Sequence, residues 1–406
     1  MEKILPVCGA AVLAVAVMAV PAAQSAPREK VIYSFAYGAD GAAPQGGVIR
    51  DAQGNLYGTT QQGAGTGCGG GGCGTVFKIT PKGKETILHV FTGDDGAFPV
   101  PGVVADAAGN LYGTAIHGGP RRNCACGVVF KVTPGGEFSI VHAFSGGADG
   151  SHPVAGLIVD KRGDLFGTTG SGGNDCNGSG EGCGTVFKIK PDGRKEVLHA
   201  FDGAGGIYPA SDLLLDGSGN IYGTTANGGS DCDGTGQGCG VVFKLAPDGA
   251  ETVLYAFEGG SHGAYPTGGV SVDGAGALYG TTNNGGVDCD GSGGCGTVYK
   301  IATDGIETGV HSFAGGSDGA HPRGTLVMNG AGRMYGTAVE GGSENDGGVV
   351  FEIKPNGKEK IVYVFTGGDD GGGPFSGLIA DDLGNLYGTT YAGGVDSYGT
   401  VFKLRP

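Results

Sequence analysis

One motif, repeated seven times, constrains this chain more than any other feature. An aromatic residue followed by Gly-Thr closes a run of the type Gly-Asn-Leu-Tyr-Gly-Thr-Thr, and that aromatic falls at Tyr57, Tyr112, Phe166, Tyr222, Tyr279, Tyr335 and Tyr387. The steps between copies are 55, 54, 56, 57, 56 and 52 residues. A period of that length, with several short strands in each unit, belongs to a propeller blade and not to a helical repeat.

Each unit reads as four strands. Val31 to Phe35 alternates as a strand ending in phenylalanine, and its equivalents end at Phe91, Phe144, Phe201, Phe257, Phe313 and Phe365. A Gly/Asp-rich loop follows and closes on Pro44, Pro99, Pro153, Pro209, Pro266, Pro322 or Pro374. Next comes an apolar strand, an Asx-Gly turn, the Leu-Tyr-Gly-Thr strand, a long loop, and a Gly-Thr-Val-Phe-Lys strand. The expected fold is therefore all-β, a seven-bladed β-propeller of four-stranded blades with 28 strands. The apolar strand is expected innermost and the Phe-ending strand outermost. Val31 to Phe35 then becomes the outer strand of the blade whose other three strands end the chain, and the N-terminus latches the C-terminus, leaving no open sheet edge. Phe77, Phe130, Phe187, Phe243, Tyr299, Phe351 and Phe402 share one slot and are expected to stack between blades, with Gly58 and its equivalents making room for a neighbouring ring.

Glycine supplies 92 of 406 residues, which without a period would point to low-complexity disorder; here glycine recurs at fixed offsets where turns need positive φ. The formal charge of -15 and the lack of any basic stripe exclude a nucleic-acid partner. Residues 1–26 carry Lys3, an apolar run from Ala10 to Val20 and small residues such as Ala23 and Ser25, the pattern of a secretory signal peptide. Cys8 precedes the apolar run, so it is not read as a lipid-modified cysteine. No later stretch is apolar enough to span a membrane. Residues 27–406 are expected to form one domain, monomeric and secreted or periplasmic.

The run Gly-Asn-Leu-Tyr-Gly-Thr-Thr, a Gly-Gly loop, Gly-Thr-Val-Phe-Lys, then Pro-x-Gly and a strand ending in Phe resembles the choice-of-anchor tandem repeat GloVer family of bacterial surface proteins. The resemblance covers the whole mature chain. It is closest at Gly384 to Leu404 and drifts most in the blades at Asp212 and Thr325. It implies a bacterial exported repeat protein of propeller type with no assigned catalytic residues. Members often end in an anchoring segment, and this sequence ends at Pro406 without one, so free secretion or periplasmic residence is the expectation.

The cysteines are the most specific local signal. Cys68 and Cys73, Cys124 and Cys126, Cys176 and Cys183, Cys232 and Cys239, and Cys289 and Cys295 sit two per loop in the first five units, and units six and seven have none. Presence or absence in pairs points to disulfides within each loop, with Cys124-Ala-Cys126 the least comfortable in length. Thiolate metal sites are the rival reading, weakened by the absence of aligned histidines. No cofactor is called for. Calcium is the one metal the loops could take, with Asp231 and Asp233, or Asp288 and Asp290, joining backbone carbonyls. An Asx-Gly turn explains the same residues more simply and is preferred.

A second row lies in the loops before the prolines. Asp40, Asp95, Asp149, Gly205, His262, Asp318 and Asp370 stand four residues ahead of each proline, and Ala43, Phe98, His152, Tyr208, Tyr265, His321 and Gly373 stand immediately before it. In a propeller all the long loops emerge on one face. Asp95, Phe98, Asp149, His152, Tyr208, His262, Tyr265, Asp318 and His321 therefore make a candidate ligand mouth near the central channel. The competing account is that each Asp caps its Asp-Gly turn and each aromatic packs beside its proline. His89, His142, His199 and His311 share a slot with Tyr33, Tyr255 and Tyr363 and read as structural. His117 breaks the pattern of its position. No nucleophile elbow, phosphate-binding loop or zinc-protease motif is present. The functional expectation is a non-enzymatic binding or cell-surface interaction scaffold, its ligand a polysaccharide or protein outside the cell. A propeller hydrolase or lyase, with or without calcium, and a glycan-binding module are the alternatives, the last relying on Phe98, Tyr208 and Tyr265 as platforms in the absence of Trp.

Overall fold

The computed structural model describes residues 28–406 apart from 122, 123, 177, 179, 233, 235, 290 and 292. The signal-peptide reading of residues 1–26 lies outside the described residues. Seven antiparallel sheets succeed one another in chain order around a ring. The first blade runs from the inside outward as Ile49–Arg50, Leu56–Thr60, Thr75–Ile79 and Glu85–Val90. In the last blade the order is Ile379–Ala380, Leu386–Thr390, Thr400–Arg405 and then Arg28–Ser34. Val31 pairs with Phe402 and Ser34 with Thr400, so the first strand of the chain does seal the last blade. The structure adds one strand to the expected count. Ala320–Pro322 pairs with the long strand Met334–Glu340, at a place where the other blades make a single bridge such as Ala97 to His117.

Local chemistry explains the motif. In the turn after the innermost strand, Asp51 accepts the Asn55 N–H at 2.8 Å and the Tyr57 hydroxyl at 3.0 Å. The same tyrosine-to-aspartate bond recurs from Tyr112, Tyr222, Tyr279 and Tyr387. The tyrosine of Tyr-Gly-Thr thus caps the turn that precedes it. Gly58 lies opposite Phe77, and a Cβ there would come within 2.6 Å of the ring. The ring that the glycine admits is therefore its own blade's. That ring meets the phenylalanine closing the outer strand of the preceding blade, and all seven such pairs have centroids 5.0–5.3 Å apart. Edge-to-face pairs of this kind contribute roughly 0.5–1.5 kcal/mol each beyond the area they bury.

The threonine supplies a second bond between blades. Thr114, Thr168, Thr224, Thr281, Thr337 and Thr389 each donate from Oγ1 to a carbonyl near the start of the next blade's inner strand. Thr59 is the exception, with its hydroxyl enclosed and without a partner. At the axis the blades touch backbone to backbone. A Cβ on Gly46 would lie 2.3 Å from the Gly102 nitrogen, and one on Gly324 would lie 2.5 Å from that of Gly377.

Candidate functional site

The cysteines pair within their loops as the sequence predicts. The five bridges have Cα–Cα separations of 5.4, 5.0, 6.0, 5.9 and 5.8 Å, and the short Cys124–Cys126 pair falls inside the ordinary range with the others. Their backbone does further work. The carbonyls of Cys73, Cys126, Cys183, Cys239 and Cys295 accept the N–H of Phe98, His152, Tyr208, Tyr265 and His321 at 2.8–3.0 Å.

Those five bulky residues share an unusual backbone. Phe98, His152, Tyr208, Tyr265 and His321 have φ between 56° and 59°, as does Ala43 at 55°, while the seventh member of the row is glycine, Gly373. A non-glycine residue in the left-handed region is strained by roughly 1–3 kcal/mol and persists only where its surroundings fix it. Here both backbone groups are held. The Tyr208 N–H is bound by the preceding blade, and its carbonyl accepts the Ala226 N–H at 3.0 Å. Glycine would avoid the strain, yet five of seven positions carry an aromatic or imidazole ring.

Between the second, third and fourth blades this row borders a cleft of about 510 Å³, walled by Ile116, His117, His152, Val154, Glu181 and Tyr208. The His117 and His152 rings meet edge to face at 5.0 Å, and His117 meets Phe98 at 5.9 Å. Tyr208 lies across Gly170, where a Cβ would come within 2.7 Å of its ring. The residues equivalent to Gly170 are Gln61, Ile116, Ala226, Asn283, Val339 and Tyr391. A side chain at position 170 would press on the Tyr208 ring, so glycine there lets the ring lie where it does. Burial first, and the neighbouring His117 second, hold His152 below the ordinary imidazole range, against the weaker pull of Glu181, and burial raises Tyr208. The ring of His152 is therefore neutral near pH 7, and the cleft offers apolar faces, hydroxyl and imidazole hydrogen bonds, and one carboxylate. Tyr265 lies in the next blade, and His321 beyond it donates from Nδ1 to the Asn283 carbonyl, 2.9 Å away.

The aspartate row does not join this mouth. Asp95 accepts the Thr92 N–H at 2.8 Å and lies 3.0 Å from His89 Nε2. Asp149 accepts the Ser145 N–H at 2.8 Å and pairs with His142 and Lys195. Asp318 accepts the Ala314 N–H at 2.9 Å and lies 3.3 Å from His311. His262, in the same row, lies 2.9 Å from Glu307. Each of these groups caps its own turn or contacts the outermost strand, which puts the row at the outer rim and away from the axis. Asp95, Asp149, His262 and Asp318 thus hold local contacts, while His152 and Tyr208 of the aromatic row line the cleft. An aspartate followed by Gly-rich sequence captures the nearest free N–H groups, and that local bond fixes where it points.

Asp231 accepts N–H bonds from Gly234 at 3.1 Å and Gly236 at 3.4 Å, and Asp288 accepts one from Gly291 at 2.8 Å. These are turn caps. Asp233 and Asp290, the other two candidate calcium ligands, lie outside the described residues. Two features escaped sequence reading. Glu181 puts a carboxylate where the equivalent positions carry Gly71, Gln237 and Gly293. The seam carries a tilted ring pair, Tyr37 beside Tyr398 at 4.8 Å, where the disulfide blades place a glycine against a cysteine sulfur, as at Gly259 and Cys232. Aligning Tyr398 with Cys295 and Cys239 would have exposed that exchange.

The comparisons agree with this architecture. A structure described as the extracellular domain of a hybrid two component system from B. thetaiotaomicron is 10% identical, with a TM-score of 0.57, over 92% of this chain and 39% of that one. A structure described as a gluconolactonase from Xanthomonas campestris is 18% identical over 77% of this chain and 86% of that one, with a TM-score of 0.42. At these identities the first likeness speaks to the fold alone, and the second carries no argument. No curated protein matches the sequence. Among the described residues no helix is long and apolar enough to cross a membrane. The Gloeobacter/Verrucomicrobia repeat matches residues 20–237 and again 232–406. With that repeat running through all seven blades, the chain belongs to the Gloeobacter/Verrucomicrobia repeat family.

Proposed function

We propose that this protein is exported and acts as a non-enzymatic binding module, taking a neutral, polyhydroxylated ligand such as a glycan terminus in the cleft of His117, His152 and Tyr208. One observation carries the reading. Five bulky rings are held in a strained left-handed backbone on one face, although glycine would serve the fold there at lower cost. Strain kept at that price to the fold is what a presented binding surface would require. The cleft chemistry supports a sugar: ring faces for C–H surfaces, a neutral imidazole, a phenol, and a single carboxylate on a chain too acidic for polyanions. The disulfides and the N-terminal pattern support export.

A thermal-shift and calorimetric screen against neutral oligosaccharides and peptidoglycan fragments tests this. Tyr208→Ala is expected to weaken a hit at least tenfold, while Leu383→Ala, an exposed change in a tight turn, should leave it unchanged. No binding by any of these probes, or equal binding by both variants, refutes the reading. A second reading has one observation in its favour, the unlike groups His117, His152 and Glu181 in one cleft, which is the minimum an acid–base enzyme needs. Release of new reducing ends from the bound polysaccharide would favour it.

A further inference from the structure

The outer rim holds seven equivalent junctions between successive blades. Each brings together the residue two before the closing phenylalanine of an outer strand, the residue four before the loop proline, and the first half-buried residue of the next outer strand. In six of them no three ligand atoms of His, Cys, Asp or Glu converge among the described residues, although Glu29, Glu85, His199, Glu251 and Glu307 each keep an enclosed atom without a hydrogen bond. Tyr33 donates to Asp40 at 3.0 Å and lies 3.2 Å from Glu85, and Tyr363 donates to Asp370 at 3.0 Å beside Glu29. Asp149 is paired with both His142 and Lys195. His89, already paired with Asp95, stacks on Phe138 at 3.6 Å. His199 faces the single carboxylate of Glu251 at 3.3 Å, and Glu307 faces His262 at 2.9 Å.

The seventh junction is different. His311 and Asp318 from the fifth blade meet Glu359 from the sixth, so one imidazole confronts two carboxylates with neither a hydroxyl nor a lysine in the trio. One ligand atom from each of the three lies within 4.8 Å of the others, and among the described residues this is the one group of three with that geometry. His311 Nε2 and Glu359 Oε1 are both enclosed and make no hydrogen bond. The Ala314 N–H, 2.9 Å from Asp318 Oδ2, fixes the other carboxylate.

We propose that His311, Asp318 and Glu359 form a divalent-cation site that staples the fifth blade to the sixth. One imidazole nitrogen with two carboxylate oxygens suits zinc, with water completing a tetrahedron, better than it suits calcium, which takes six to eight oxygens. The position fits a staple, since the cysteine loops end in the fifth blade with Cys289–Cys295. The site is remote from the His152 cleft and independent of what that cleft binds.

The test is calorimetry of chelator-treated full-length mature protein with Zn²⁺, and with Ca²⁺ in a parallel arm. One Zn²⁺ per chain is expected, bound at least tenfold more tightly than Ca²⁺. His311→Tyr rebuilds the arrangement already present at Tyr363, Asp370 and Glu29, so it should fold, and circular dichroism checks that. It should lower zinc affinity at least tenfold, as should Glu359→Gln, while His152→Ala should not. Absence of zinc binding at millimolar concentration, tighter binding of calcium, or full zinc affinity in folded His311→Tyr would overturn the proposal.

Discussion

Replacing Glu85 by glutamine is expected to stabilise the protein at pH 8 and to change it little at pH 5. At the seam between the last blade and the first, the Tyr33 hydroxyl has one hydrogen and two carboxylates within reach, Asp40 at 3.0 Å and Glu85 at 3.2 Å. Glu85 Oε1 is enclosed without a partner. Burial first, and the charge of Asp40 second, push the Glu85 carboxyl from 4.5 up to about 7. A carboxyl whose folded pKa lies above its unfolded value contributes stability that is fully present below about pH 4.5 and is lost as pH rises through about 7. A shift of that size corresponds to about 3 kcal/mol at most, and water reaching a half-buried group reduces it to about 1–2 kcal/mol. Glutamine mimics the protonated acid, supplying an N–H₂ donor and no charge, so the gain should appear only where the wild type is ionised. Equilibrium urea unfolding followed by far-UV circular dichroism at the two pH values measures the difference. A variant that loses as much stability at pH 8 as at pH 5 would refute the reasoning, because it would mean the ionised carboxylate is the favoured state of the junction.

Two further predictions rest on single positions. Tyr299 fills the slot that phenylalanine occupies in six blades, and its fully buried hydroxyl has no partner, so Tyr299→Phe should raise stability by about 1 kcal/mol in thermal or urea unfolding. Removing the Cys176–Cys183 bridge by a double change to serine should cost about 2 kcal/mol by loop entropy. It should also weaken any ligand of the cleft, since the Cys183 carbonyl holds the Tyr208 N–H and Glu181 lies within the bridged loop.

The architecture was legible because it is written seven times. The blade period, the inner and outer strand assignments, the sealing by Val31 to Phe35 and the five cysteine pairs all follow from offsets that repeat, and repetition separates a structural residue from a local accident. The site was only half legible. Phe98, His152, Tyr208, Tyr265 and His321 stand out in the sequence as a row, but their left-handed backbone depends on carbonyls of the preceding blade, which no local pattern reveals. The aspartates are harder to read from sequence, because a carboxylate beside free N–H groups is captured locally, as Asp95 is by Thr92. Glu359 and His311 are 48 residues apart and belong to different units, so their meeting follows from how adjacent blades pack and not from either repeat.

The seam has a kinetic meaning as well. Thr389 bonds to Gly46 across 343 residues of sequence, and Arg28–Ser34 cannot pair with Thr400–Arg405 until both ends of the chain are in place. Blades made of neighbouring strands form from local contacts, whereas this closure is the longest loop the fold must shut and should come last. Until then Thr400–Arg405 is an unpaired edge, a template that the Arg28–Ser34 strand of another molecule fits as well as its own does. Crowded refolding should therefore yield strand-exchanged dimers, with the first strand as the element exchanged.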